Sequence, residues 1–177
     1  MGKLKRYMEN EIIIDELKTE EIEIYSNEIY ANMINNVFDE FVGKDYSEEG
    51  KKSFKNFVEE NSVFERLKNS CNKAYVAKYN DEIIGILEIK NNNHISLFFV
   101  KKEYHKKGVG KKLFEYFINK IKQENIGINK ITVNSSICAE NIYSRFGFVK
   151  INDIQEKNGI IFIPMECNLC IYSSVAD

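Results

Sequence analysis

The sequence contains no apolar run near the roughly 20 residues that a membrane-spanning helix needs, so no spanning segment is predicted. It also lacks a strong charge of either sign. With 25 Lys+Arg against 27 Asp+Glu the net charge is −2, too balanced for nucleic acid to be expected as the main partner. Met1 to Asn10 carries basic residues but no apolar h-region, so no secretory signal is expected. Arg6 stands where a myristoylation site following Gly2 would need Ser or Thr. The expected location is therefore cytoplasmic. Cysteines are few: Cys71, Cys138, Cys167 and Cys170. Cys167 and Cys170 form a lone C-x-x-C pair at the end of an extended apolar stretch, not at the strand-to-helix junction that a redox pair favours. A zinc site would need two further ligands, so no metal is expected, and the cysteines read as reduced core and surface residues.

Also missing are internal repeats, low-complexity linkers and composition breaks. With 177 residues, 44% of them hydrophobic and 29% charged, the chain reads as one globular domain over residues 1–170, followed by a tail at 171–177. Three consecutive isoleucines within Glu11 to Leu17 predict a buried strand. From Thr19 the period becomes helical, with Ile22, Ile29, Met33, Val37 and Phe41 on one stripe and Gly43 as a stop. Ser47-Glu48-Glu49 is a helix start, giving the orphan amides an acceptor hydroxyl and an acidic first turn. Phe54, Phe57 and Val58 supply that helix with an apolar face, and Val63, Phe64 and Leu67 a short further piece. The middle reads as a meander: Ala74 to Tyr79, Glu82 to Lys90 and His94 to Val100, with turns at Asn80-Asp81 and Asn91 to Asn93. A helix from about Gly108 to Glu124 follows, then a strand Lys130 to Asn134 and a short helix Ala139 to Phe146. Final strands are expected at Phe148 to Ile154 and Ile160 to Leu169. The order β-α-α-β-β-β-α-β-α-β-β is a mixed α/β fold.

The segment His94 to Leu113, HISLFFVKKEYHKKGVGKKL, is the informative one. A strand runs into a loop, and Gly108-Val109-Gly110 then opens an amphipathic helix. The unpaired amides of a helix N-terminus attract anions, and glycines let a pyrophosphate approach the backbone. Six lysines lie between Lys101 and Lys112 against one acid, Glu103. Lys101, Lys102 and Lys112 read as a solvated basic face; Lys106 and Lys107 are interleaved with the loop amides and read as phosphate contacts. Gly110-Lys111-Lys112 lacks the earlier glycine and the hydroxyl of a Walker loop, and a dinucleotide fingerprint does not follow an antiparallel meander.

Val100 to Leu113 resembles instead the acyl-CoA loop of the GNAT superfamily, Arg/Gln-x-x-Gly-x-Gly/Ala followed by leucine, with His105 in the first position. A second stretch, Ser136 to Phe148, resembles the family's Asn-x-x-Ala-x-x-x-Tyr-x-x-x-Gly-Phe through Ala139, Tyr143, Gly147 and Phe148, with Ser136 in place of Asn. The resemblance covers about residues 74 to 169. It implies the GNAT fold, a mostly antiparallel twisted sheet of about seven strands with four or so helices. It also implies transfer of acetyl from acetyl-CoA to an amine by direct attack. The implied cofactor contacts are the backbone of Phe98, Phe99 and Val100, the loop residues His105, Lys106, Lys107, Gly108, Val109, Gly110 and Lys111, and Asn134 and Ser136 across the cleft.

Tyr143 falls at the family's general acid, which protonates the departing thiolate. For the general base, His94 and Glu88 stand as alternatives to a water chain. The acceptor, a small amine, a peptide N-terminus or a lysine side chain, is expected opposite the cofactor. Phe38, Phe41 and Tyr46 are candidate wall residues there, and Asp39 or Glu40 candidate carboxylates. A non-catalytic acyl-CoA-binding module on the same fold is the alternative reading. An exposed final strand offers an edge for pairing across a homodimer.

Overall fold

The computed structural model describes residues 11–124 and 127–169. Cys170, the proposed tail and Met1 to Asn10 lie outside the described residues. Strand β1 (Ile13–Glu16) leads into a continuous helical rod, α1, that starts with the α-helix Thr19–Ser26. Two π-helical stretches, Asn27–Ile34 and Phe38–Val42, flank the α-turn Asn35–Val37. Helices α2 (Glu48–Phe57) and α3 (Glu60–Leu67) follow, then β2 (Lys73–Tyr79), β3 (Glu82–Lys90) and β4 (His94–Val100). The remainder is α4 (Val109–Glu124), β5 (Lys130–Ser135), α5 (Glu140–Arg145), β6 (Val149–Lys150), β7 (Gln155–Lys157) and β8 (Ile160–Asn168).

The π-turns of α1 are a departure from the expected plain α-helix, and its buried residues give the reason. Ile22, Ser26, Tyr30, Ile34 and Phe38 recur every four residues. At 3.6 residues per turn such a stripe winds around the rod, whereas turns closed i→i+5 keep it facing the sheet. Helix α2 starts as expected: the Ser47 hydroxyl accepts from the Gly50 amide at 3.1 Å.

One sheet runs in the order β1-β2-β3-β4-β5-β8-β6, with β7 paired to β8. Every pairing is antiparallel except β4 with β5. Both faces are covered. Helices α4 and α5 close one, where Leu113, Phe114, Phe117, Ile118 and Ile121 pack on Ile84, Leu87 and Ile89. Burying side chains of this size contributes about 1.5–3 kcal/mol each. Helices α1 to α3 close the other face over Val76, Ile83, Ile86 and Leu97.

Two expectations about the C-terminal region are corrected. The strand foreseen at Phe148 to Ile154 is only Val149–Lys150. Beyond it the Ile151 amide donates to the Pro164 carbonyl at 3.0 Å, but proline has no N–H to return, so the ladder stops. The final strand is also no exposed edge. β8 lies between β5 on one side and β6 and β7 on the other, so it offers no free ladder for pairing across a dimer.

The β7–β8 turn docks on the start of α2. A Cβ on Gly50 would sit 2.0 Å from the Gly159 carbonyl oxygen, and Gly159 has φ +74, so both positions require glycine. The contact brings the final strands against the helical hairpin.

Candidate active site

Strands β4 and β5 are paired at only one end. Their parallel register covers His94↔Thr132 and Ile95↔Val133 and then ceases. Ser96 is an extra residue at this point, since Ile95 pairs Ile89 while Leu97 pairs Glu88. The bulge bends β4 away from β5, which continues along β8 instead. Beyond it the Lys101 amide donates to Ile84 at 2.8 Å, toward β3. Antiparallel alternation then turns Leu97 and Phe99 to β3 as well, and turns the backbone groups of Phe98 and Val100 toward the gap. Of the three residues expected to supply backbone contacts, Phe98 and Val100 are so placed. Phe99 is not; its ring lies 6.0 Å from that of Phe54, in the helix-covered core.

At the mouth of this gap the chain makes a turn at Lys102–Tyr104 and enters α4. Gly108 has φ +81, with nothing within 4 Å of where a Cβ would be, and Lys106 has φ +60. The first helical bond runs from the Lys112 amide to the Gly108 carbonyl at 3.0 Å. The amides of Val109, Gly110 and Lys111 are therefore orphans of a helix N-terminus, pointing outward with the positive end of the helix dipole.

The lysines divide. Lys101 pairs with Glu82 at 2.7 Å and Lys102 with Glu40, while Lys106 has no acidic partner among the described residues. Lys107 lies 5.3 Å over the Tyr104 ring, and Lys111 reaches Glu115 at 3.6 Å. The imidazole of His105 turns back onto the strand end: its Nε2 is 2.8 Å from the Val100 carbonyl oxygen.

Tyr143 comes from α5, beside the gap. It is buried between Phe98 and Phe148, whose ring centroids lie 6.2 and 5.4 Å away, and its hydroxyl has no hydrogen-bond partner among the described residues. Burial, with a smaller contribution from Cys138, pushes the phenol well above its ordinary range, so it stays a proton donor. Cys138 also bears on Tyr46, which burial raises to about 12. Cys138 lies on the turn Ile137–Ala139, and its thiol is 3.3 Å from the Ser136 hydroxyl. Asn134 is exposed at the end of β5. Cys138 was not singled out in the sequence, although it lies inside the Ser136 to Phe148 motif.

The two candidate bases lie elsewhere. His94 opens β4 at its paired end, its Nδ1 2.8 Å from the Thr132 hydroxyl. Burial and then Lys90 lower its pKa. Glu88 is 1% exposed and faces α1 to α3. Arg66 holds it through Nε at 2.6 Å and Nη2 at 3.0 Å, and the Tyr30 hydroxyl donates at 3.3 Å. The structure brings neither to the open ends of β4 and β5.

Residues 42–169 match the family model for the acetyltransferase (GNAT) domain. The chain belongs to the GNAT acetyltransferase family. It is accordingly an acyltransferase. Solved structures with the same fold include a GCN5-related N-acetyltransferase from Rhodopseudomonas palustris, at 20% identity and TM-score 0.68, covering 89% of this chain and 95% of that one. The PaiA N-acetyltransferase from Thermoplasma acidophilum, solved with coenzyme A, is 21% identical at TM-score 0.66, with 89% and 99% covered. A spermidine N-acetyltransferase variant from Vibrio cholerae is 15% identical at TM-score 0.63, with 94% and 98% covered. No curated protein matches the sequence significantly. Among the described residues no group of three or more His, Cys, Asp or Glu is arranged to hold a metal, and no helix is long and apolar enough to cross a membrane.

Proposed function

We propose that this GNAT protein transfers the acetyl group of acetyl-CoA to a primary amine by direct attack. The observation that carries the reading is the one-ended pairing of β4 and β5 directly in front of a helix N-terminus with free amides. A coenzyme fits these residues. Val109, Gly110 and Lys111 would hold the pyrophosphate on their amides, with Lys106 and Lys107 adding charge. The backbone of Phe98 and Val100 would hold the pantetheine arm between the splayed strands, with Asn134 and Ser136 across it. An amide fixed toward the thioester carbonyl stabilises the charge that develops there, a contribution of a few kcal/mol in comparable sites.

Tyr143 donates its proton to the departing sulfur, and its burial keeps the proton in place at working pH. With His94 at the closed end and Glu88 committed to Arg66, proton removal from the acceptor ammonium falls to water. The acceptor enters from the side walled by α1, α2 and β8, past Tyr46 and Phe41. Among the fold relatives named above, one is a spermidine N-acetyltransferase, which makes small amines the first acceptors to screen.

Calorimetric titration with acetyl-CoA tests the cofactor. Binding to the wild type and its loss in Gly108→Glu is the expected result. No binding to the wild type refutes the reading. Turnover with an amine panel, dependent on Tyr143, separates the enzyme from a non-catalytic acyl-CoA-binding module.

A further inference from the structure

The loop that precedes α4 is tied to the far end of α1 as well as to its own strand. His105 makes both contacts. Its Nε2 lies 2.8 Å from the Val100 carbonyl oxygen, and its ring lies 5.3 Å from that of Phe41. A carbonyl oxygen only accepts, so Nε2 carries the hydrogen, in the neutral ring as in the charged one. Beside it Lys102 pairs with Glu40 and lies 6.0 Å over the Phe41 ring. Glu40 and Phe41 belong to the π-helical stretch Phe38–Val42, which also contacts the turn carrying Cys138. Thus one imidazole joins a gap-facing carbonyl of β4 to the helix end that walls the acceptor side.

We infer that His105 is a positioning residue, a strut through which occupation of the cofactor cleft orders the Phe38–Val42 end of the acceptor helix. The inference rests on the acetyl-CoA reading above. It follows from the two contacts together. Fixing the Val100 strand end fixes the imidazole, and fixing the imidazole restricts Phe41. The wide π-turns leave this helix end a less regular hydrogen-bond pattern than an α-helix, and such turns are frequent where a helix serves a site. The Lys102–Glu40 pair is solvent-exposed and makes a weaker second tie. The effect on the reaction is that the wall meeting the amine is set after the cofactor is seated.

Hydrogen exchange measured with and without saturating acetyl-CoA tests the strut, alongside calorimetry on the same samples. In the wild type, acetyl-CoA should slow exchange of the 38–42 amides severalfold. His105→Ala should still bind acetyl-CoA, no more than about tenfold more weakly, yet lose that protection. His105→Gln, which can donate to Val100 but has no ring for Phe41, should recover the affinity and not the protection. A merely structural role for His105 would not separate the two readouts. His105 is exposed, so both variants should keep the wild-type melting temperature. Protection that persists in His105→Ala, or is absent from a wild type that binds acetyl-CoA, overturns the strut alone. Failure of the wild type to bind acetyl-CoA overturns the acetyl-CoA reading and the strut with it.

Discussion

The two ends of β4 are built from the same strand and do opposite things. At His94 and Ile95 the strand is paired on both sides, and a half-buried imidazole bonds across to Thr132. At Phe98 and Val100, past the bulge at Ser96, it has a strand partner on one side only, and apart from the Val100 carbonyl held by His105 its other-side groups face a helix start with orphan amides. A saturated backbone gives stability, whereas an unsaturated one is available to a ligand. Changes near the closed end and its buried neighbours should therefore cost stability and spare turnover, and changes at the open end should do the reverse.

Tyr143 offers the largest expected effect on the open side. Tyr143→Phe keeps the ring among Phe98 and Phe148 and removes only the donor. With the acceptor found in the amine screen, kcat should fall by about 10²- to 10⁴-fold, the usual range for a general acid, while acetyl-CoA affinity holds. The raised phenol pKa sharpens this: the donor is fully protonated below its ordinary value near 10, so the wild-type profile should show no loss of activity from Tyr143 ionisation below that pH. A Phe variant within threefold of wild type would remove Tyr143 from the chemistry.

The contrasting change is at Arg66. Its guanidinium holds Glu88, stacks 4.0 Å over the Phe57 ring and donates to the Phe57 carbonyl. Arg66→Ala strands a buried carboxylate, a defect that costs about 3–5 kcal/mol, read as a lowered denaturation midpoint. Glu88→Gln keeps an acceptor for Arg66 and the Tyr30 hydroxyl and should be milder. If Glu88 is structural, the folded fraction of either variant should turn over near the wild-type rate. A kcat collapse in well-folded Glu88→Gln would restore Glu88 as the base.

A smaller effect is expected back at the open end. Gly108→Ala places a Cβ in clear space but at φ +81, where a side chain costs about 1–2 kcal/mol. If the loop relaxes to relieve it, acetyl-CoA affinity should drop about tenfold with the melting temperature nearly unchanged. An equal loss of stability and no loss of affinity would mean that the loop geometry does not serve the cofactor.

How far these differences were legible in the sequence follows from how local each is. The loop and α4 were legible because Gly108, Gly110 and the stripe Leu113 to Ile121 act within one helix. The meander was legible for the same reason: Asn80, Asp81, Asn91 and Asn92 all adopt positive φ in tight turns. The face of Glu88 was not legible, because period-two alternation separates core from solvent only where one face is wet, and both faces of β3 are covered by helices. Its partner Arg66 lies 22 residues away on another element. The residues of β4 alone do not separate its two ends, since the parallel register with β5 is set after a whole helix intervenes; only the family resemblance implied a cleft where the two strands splay apart. The same limit hid His105 turning onto Val100 and the short run of β6.

His94 provides the smallest and most discriminating change. Burial and Lys90 lower its pKa in the folded protein, so the unfolded chain binds its proton more readily. This contribution to stability is fully present above the unfolded value near 6.5 and is lost as pH falls from there toward the depressed folded value. Denaturation midpoints taken from pH 7.5 down to 5 should therefore decline more in the wild type than in His94→Gln, whose amide keeps a bond to Thr132 without a titrating group. Across the same series kcat of the Gln variant should stay within about threefold of wild type, since a residue at the closed end has no part in proton transfer. A profile of kcat that loses its acidic limb in His94→Gln would mean that a water chain connects the closed end of β4 to the open one, and the division between the two ends would fail there.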